Sequence, residues 1–228
     1  MLAGVQTFGL PTVAAAPATS RATQPANDTV LVVGDSLSAE YGLSRGTGWV
    51  ALLEARIRER GWTPSTLPQP SAPAPAIVNA SISGETTAGG LSRLPDLLQR
   101  HSPAIVVIAL GGNDALRGLD LSASERNLAR MIELARAAGA RVLLVGMMVP
   151  PNYGRAYGER FTAIFTRLAQ QTGVALVPFL LDGFADDMTQ FQPDRIHPRE
   201  TAQPRMLENV WPVFESLGRR AAASRQTQ

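Results

Sequence analysis

The chain has 228 residues, enough for one substantial domain whose core needs no covalent staples. With 45% hydrophobic and 18% charged residues it reads as globular rather than disordered, and no apolar run approaches the ~20 residues that cross a bilayer as a helix. A net charge of +2 without a dense basic block leaves no footprint for nucleic acid, and the absence of cysteine excludes disulfides, a thiol nucleophile and Cys-ligated metal.

Residues 1–28 are rich in Ala, Thr and Pro and lack the periodicity of a folded element. They hold an apolar stretch and Ala-x-Ala-like sites, but no basic residue precedes Arg21. A secretory signal has a positive start, so the segment reads either as a remnant export signal or as a disordered tail. The first reading expects a periplasmic or secreted protein; the second leaves the cytoplasm open. The folded domain is expected over 29–220, with 221–228 as a flexible tail.

Within the domain, short apolar runs alternate with helical patterns. Thr29–Val33 reads as a fully buried strand, and Gly48–Arg60 as an amphipathic helix with Val50, Leu53 and Ile57 on one face. Residues 61–76 carry five prolines and read as an inserted surface loop, which costs little in closure entropy. Ile77–Ala80 is a very short strand. Leu91–Arg100 reads as a helix with Pro95 near its first turn. Ala104–Leu110 is the strongest strand. Ser122-x-x-Glu125 has the form of a capping box opening a helix to Ala138, stopped by Gly139. Arg141–Val145 is a strand, Tyr157–Gln171 a helix ended by Gly173, and Val174–Val177 the last strand. Pro198–Leu217 is mostly helical, with its proline in the first turn. This alternation predicts an α/β fold, a three-layer α/β/α sandwich around a five-stranded parallel sheet.

Ligands in such sheets sit outside the carboxyl ends of the strands. There the sequence places Gly34-Asp35-Ser36-Leu37 after the first strand, "SISGET" with Gly84 after the second, and Gly111-Gly112-Asn113-Asp114 after the third. "DRIHP", Asp194 to Pro198, precedes the last helix. Acyl transfer needs a hydroxyl nucleophile, an imidazole base, a carboxylate to orient it, and donors for an oxyanion. Of two histidines, His101 lies before the third strand, at the opposite end of the sheet, where it suits a surface role. His197 is the candidate base for Ser36. Asp194 is either its orienting carboxylate or a loop or N-cap group. Asn113 after two glycines is either a turn or an oxyanion donor beside the Gly84 and Ser36 amides. Each motif alone is weak; four in this order at the strand ends of one sheet are a strong signal.

These motifs are similar to those of the SGNH (GDSL) hydrolase superfamily over about residues 29–217. "GDSLSAEYG", "NASISGETTAGGLSRLP", "LGGNDALRG", "PPNYGRAY" and "DRIHP" resemble in particular its branch of bacterial thioesterase I/protease I/lysophospholipase L1 and arylesterase-like enzymes. The resemblance implies a flavodoxin-like serine esterase or thioesterase. Its catalytic set would be Ser36, Asp194 and His197, with an oxyanion hole of Ser36, Gly84 and Asn113. It implies no metal and no cofactor, and a small-molecule ester or thioester as partner; a monomer is expected. The segment Ala115–Leu121 aligns with a loop that shapes the acyl pocket in that branch. Leu116, Leu119 and Leu121, facing Val149, Pro150, Pro151 and Tyr153, are therefore expected at the substrate, together with Asp35.

The α/β-hydrolase fold shares the order Ser, Asp, His but has G-x-S-x-G at its nucleophile, and here the final glycine is Ser38. A carbohydrate acetylesterase and a non-catalytic acyl- or lipid-binding module remain as alternatives. Tryptophan at positions 49, 62 and 211 forms no evident sugar platform, and a binding module has no need of all four site residues.

Overall fold

The computed structural model describes residues 27–62 and 76–226. Five strands, β1 (Asn27–Gly34), β2 (Ile77–Asn79), β3 (Pro103–Ala109), β4 (Arg141–Val145) and β5 (Ala175–Val177), form a parallel sheet in the order β2-β1-β3-β4-β5. The helices are α1 (Trp49–Arg60), α2 (Thr87–His101), α3 (Gly112–Leu116), α4 (Leu121–Ala137), α5 (Arg155–Thr172) and α6 (Gln203–Gln226).

Residues 30–33 of β1 and all of β3 read as unbroken apolar runs because both faces of the sheet are covered there. Val30 and Val32 of β1 join a core with Leu53 and Ile57 of α1 and Val210 and Phe214 of α6. Leu31 and Val33 point the other way, among Leu94, Leu128, Met131, Phe161 and Phe165 of α2, α4 and α5. Every residue of β3 is buried, and each large apolar side chain so covered contributes about 1.5–3 kcal/mol before ordering costs. From β1 the chain crosses to β2 on one side, then returns over β1 to β3 on the other. The carboxyl ends of β1 and β3 thus flank the point where the winding reverses, the usual ligand crevice of this topology.

The three-layer parallel architecture agrees with the sequence reading, and β4 has the expected bounds. Four local readings need correction. The helix expected from Leu91 begins at Thr87, capped by Thr86, whose side chain accepts from the Gly89 amide. Gly89 and Gly90 weaken the helical signal there, but a Cβ on Gly90 would run into Leu110 Cδ1, so the glycine lets α2 lie close on the sheet. Pro95 consequently stands inside α2 rather than in its first turn, at an exposed position. Asp120, not Ser122, caps α4 by accepting from the Ser122 amide, while Glu125 turns to Arg167 at 2.8 Å. Pro198 opens no helix; it pairs with Phe191 in an antiparallel bridge, and α6 starts at Gln203. The five-residue α3 was not foreseen. Asn27 and Asp28, expected in the N-terminal tail, already belong to β1, while the rest of that tail and most of the Pro-rich loop lie outside the described residues.

Candidate active site

Ser36 sits immediately beyond β1, where the backbone leaves the sheet in a turn held by Ser38 N–H and Ala39 N–H on the Asp35 carbonyl. His197 arrives from far along the chain on a tight loop. The Gln192 amide donates to the His197 carbonyl at 2.8 Å, the Arg195 amide to the Gln192 carbonyl at 2.9 Å, and Arg195 adopts φ 61° to close the turn. Gln192 Nε2 also donates to the Tyr41 carbonyl at 2.9 Å, which ties this loop to the one after Ser36.

The side chains then form a continuous line. Asp194 Oδ1 accepts from the Ile196 and His197 amides at 2.9 and 3.0 Å, and Oδ2 lies 2.7 Å from His197 Nδ1. His197 Nε2 lies 2.8 Å from Ser36 Oγ. A neutral imidazole with its proton on Nδ1 therefore donates to Asp194 and presents Nε2 as acceptor for the serine hydroxyl. Burial on its own would raise Asp194, but the two backbone N–H bonds and His197 outweigh it and hold the carboxyl below its ordinary range. The ring of Tyr41 packs on the imidazole, centroids 4.4 Å apart.

On the other side of the serine, Asn113 Nδ2 donates to the Glu85 carbonyl at 3.0 Å and to Asp35 Oδ2 at 3.3 Å. The side chain thus bridges the neighbours of Gly84 and of Ser36 and draws three strand ends together. Gly84 takes φ 79°, a conformation that disfavours any side chain, and its carbonyl accepts from Arg117 Nη2 at 2.9 Å. A buried polar cluster holds α3, and with it Asn113. Asp114 accepts from the Thr87 amide and hydroxyl at 2.9 and 2.5 Å and from Ser124 Oγ at 3.0 Å. The hydroxyls of Tyr153 and Tyr157 donate to the Leu116 and Ala115 carbonyls at its far end.

The GDSL-like lipase/acylhydrolase family model matches residues 32–203, a span that contains every one of these groups. The chain belongs to that family. It is 50% identical over 194 residues to esterase TesA of Pseudomonas aeruginosa, covering 85% of this chain and 91% of the relative. It is 42% identical over 179 residues to thioesterase 1/protease 1/lysophospholipase L1 of Escherichia coli K12, covering 78% and 79%. A crystal structure of TesA superposes with a TM-score of 0.77 at 50% identity, covering 83% of this chain and 99% of that one. As a GDSL-like acylhydrolase the protein is a hydrolase that acts on esters.

The fold brings together Ser36, Asp194, His197 and Asn113, all named from the sequence, with Gly84 on the loop that the Asn113 amide grips. Leu116 and Tyr153 meet through the Tyr153 hydroxyl, and exposed Leu119, partly buried Val149 and exposed Pro150 lie on neighbouring loops. Asp35 is placed differently from the expectation: it is 5% exposed and turned behind Asn113 rather than into open cleft. Burial raises its pKa to about 6, although the Leu37 amide and the charge of His197 pull it down. Tyr41 and the Asp114 cluster escaped the sequence reading. Nothing in spacing singles out Tyr41, while Asp114, next to Asn113 and followed by apolar residues, could have been suspected as a buried carboxylate. All three tryptophans are buried, so none offers a face to a sugar ring at the cleft.

Proposed function

We propose that the protein is a serine esterase and thioesterase that works through an acyl-enzyme on Ser36. The observation that carries this reading is the unbroken line from Asp194 through His197 to Ser36 Oγ, at 2.7 and 2.8 Å. His197 Nε2 takes the hydroxyl proton as Ser36 Oγ bonds to the ester carbonyl carbon. The imidazolium so formed is stabilised by Asp194. The carbonyl oxygen becomes an oxyanion facing the Ser36 and Gly84 amides and the Asn113 amide. Collapse breaks the bond to the alkoxide or thiolate, which leaves with the proton from His197. Water, deprotonated by the same imidazole, then attacks the acyl-enzyme and releases the acid, restoring Ser36.

The substrate class follows from the loops around this line. Tyr41, Ile82, Leu119, Met148, Tyr153 and Ile196 are large apolar side chains left exposed on loops beyond the carboxyl ends of the strands. Such a rim suits acyl chains and aromatic leaving groups. Aryl esters, acyl thioesters and lysophospholipids are accordingly the proposed substrates, in keeping with the relatives' names. Hydrolysis of p-nitrophenyl esters of increasing chain length and of a palmitoyl thioester, by wild type and Ser36→Ala, tests the reading. Turnover lost in the variant supports it, and equal rates refute it. We further propose a monomer, and export to the periplasm or secretion, the export supported by the Ala-x-Ala-like sites of the N-terminal segment. Light scattering after gel filtration and cell fractionation test these two points. Among the described residues no helix is long and apolar enough to cross a membrane.

A further inference from the structure

The two ends of an asparagine amide have nearly the same shape and opposite hydrogen-bonding character. An Asn113 turned the wrong way would set its carbonyl oxygen, not its N–H₂, toward a developing negative charge. Two acceptors prevent this: the Glu85 carbonyl at 3.0 Å and Asp35 Oδ2 at 3.3 Å both require the nitrogen. The second acceptor is itself fixed, because Asp35 Oδ1 accepts from the Leu37 amide at 3.0 Å and the side chain is buried.

We propose that Asp35 is a positioning residue of the oxyanion site, its carboxylate aiming the Asn113 amide at the tetrahedral intermediate. This rests on the reading of Asn113 as an oxyanion donor and specifies what makes that donor ready. Of the two hydrogens on Nδ2, the one on the longer Asp35 bond is the one shared with the oxyanion, while Glu85 keeps the other. A carboxylate suits the post because its two oxygens serve Leu37 and Asn113 at once. A neutral amide there has one acceptor for two donors, and its own N–H₂ would face that of Asn113.

The device is sensitive to protonation. The charged groups around Asp35 are His197, which favours its ionised form, and Asp114, which opposes it; burial lifts the carboxyl to about 6. Protonation turns one of its oxygens into a donor and releases either Leu37 or Asn113. The low-pH limb of kcat then includes a protonation at Asp35.

The test is a double-mutant cycle on a butyrate ester, with kcat and KM measured from about pH 5 to about pH 9. It uses wild type, Asp35→Asn, Asn113→Ala and the double variant. Asp35→Asn should lower kcat by about tenfold or more with KM within about twofold, and in the Asn113→Ala background its further effect should be under about twofold. Its low-pH limb should become shallower by one proton. Melting temperatures confirm folding, and Asp35→Ser, too short to reach Asn113, answers the same question if the Asn variant misfolds. An unchanged kcat in Asp35→Asn, or the same loss in both backgrounds, overturns the positioning role while leaving Asn113 as donor. If Asn113→Ala itself retains wild-type kcat, the oxyanion reading fails first and takes the positioning role with it.

Discussion

The carboxylate that holds Asn113 is expected to weaken the fold that contains it. Asp35 is raised from 3.8 to about 6 by burial, a rise of about two units at ~1.4 kcal/mol each. With the folded-state pKa above the unfolded one, the stabilising proton is fully in place below the unfolded value and is lost as pH rises through about 6. At pH ~8 the ionised group thus leaves the folded chain about 3 kcal/mol less stable than it is with Asp35 neutral. Asp35→Asn removes the charge but accepts one hydrogen bond fewer, returning about 1 kcal/mol. The variant should therefore be about 2 kcal/mol more stable than wild type at pH ~8, a rise in Tm of roughly 4–8 °C for a domain of this size. Near pH ~4, where wild type carries the proton as well, the advantage should vanish. Thermal melts of both proteins at the two pH values measure this. A variant that melts below wild type at high pH, or a gap that does not shrink on acidification, refutes the reasoning.

Asp194→Asn should leave KM nearly unchanged and lower kcat by a factor on the order of 10⁴, because His197 Nδ1 loses its acceptor and the wrong tautomer is favoured. Asp114→Ala strands the buried Thr87 amide and takes one bond each from the Thr87 hydroxyl and Ser124 Oγ, which keep Asn127 Nδ2 and the Asp120 carbonyl as partners. At about 1–3 kcal/mol for each group left unpaired, the urea midpoint should fall sharply, and a variant within experimental error of wild type would refute the role. Gly146→Ala should cost more stability than Gly90→Ala. A Cβ at residue 146 meets the Pro178 backbone carbonyl, whereas at residue 90 it meets the end of the Leu110 side chain, which can shift for about 1–3 kcal/mol. Calorimetric melts of the two variants give the order.

Much of the molecule was legible because its strands are buried on both faces. Residues 30–33 of β1, all of β3 and residues 142–145 of β4 are unbroken apolar runs, and such runs alternating with 3.6-residue periodicity leave few alternatives to a wound parallel sheet. The residues at Ser36, Asn113, Asp194 and His197 were legible because each stands where a strand or loop ends. The start of α2 was hidden because Gly90 answers to tertiary packing against Leu110, just beyond β3, not to local propensity. The cap of α4 was misread because Glu125 had a distant partner, Arg167, that no local pattern announces. Asp35 was misplaced for a related reason. A carboxylate beside a nucleophile looks like a ligand group, and only three-dimensional proximity shows that it faces a side chain 78 positions away.

In the proposed mechanism the base and the nucleophile are made at opposite ends of the domain's synthesis. Ser36 follows the first strand, while His197 stands on the loop just ahead of α6, the helix that also closes one face of the sheet over Val30 and Val32. A nascent or truncated chain that stops short of this loop carries Ser36 and Asn113 but lacks both His197, the proposed base, and the helix that covers Val30 and Val32. In that mechanism hydrolytic competence is tied to synthesis of the chain through His197 and α6.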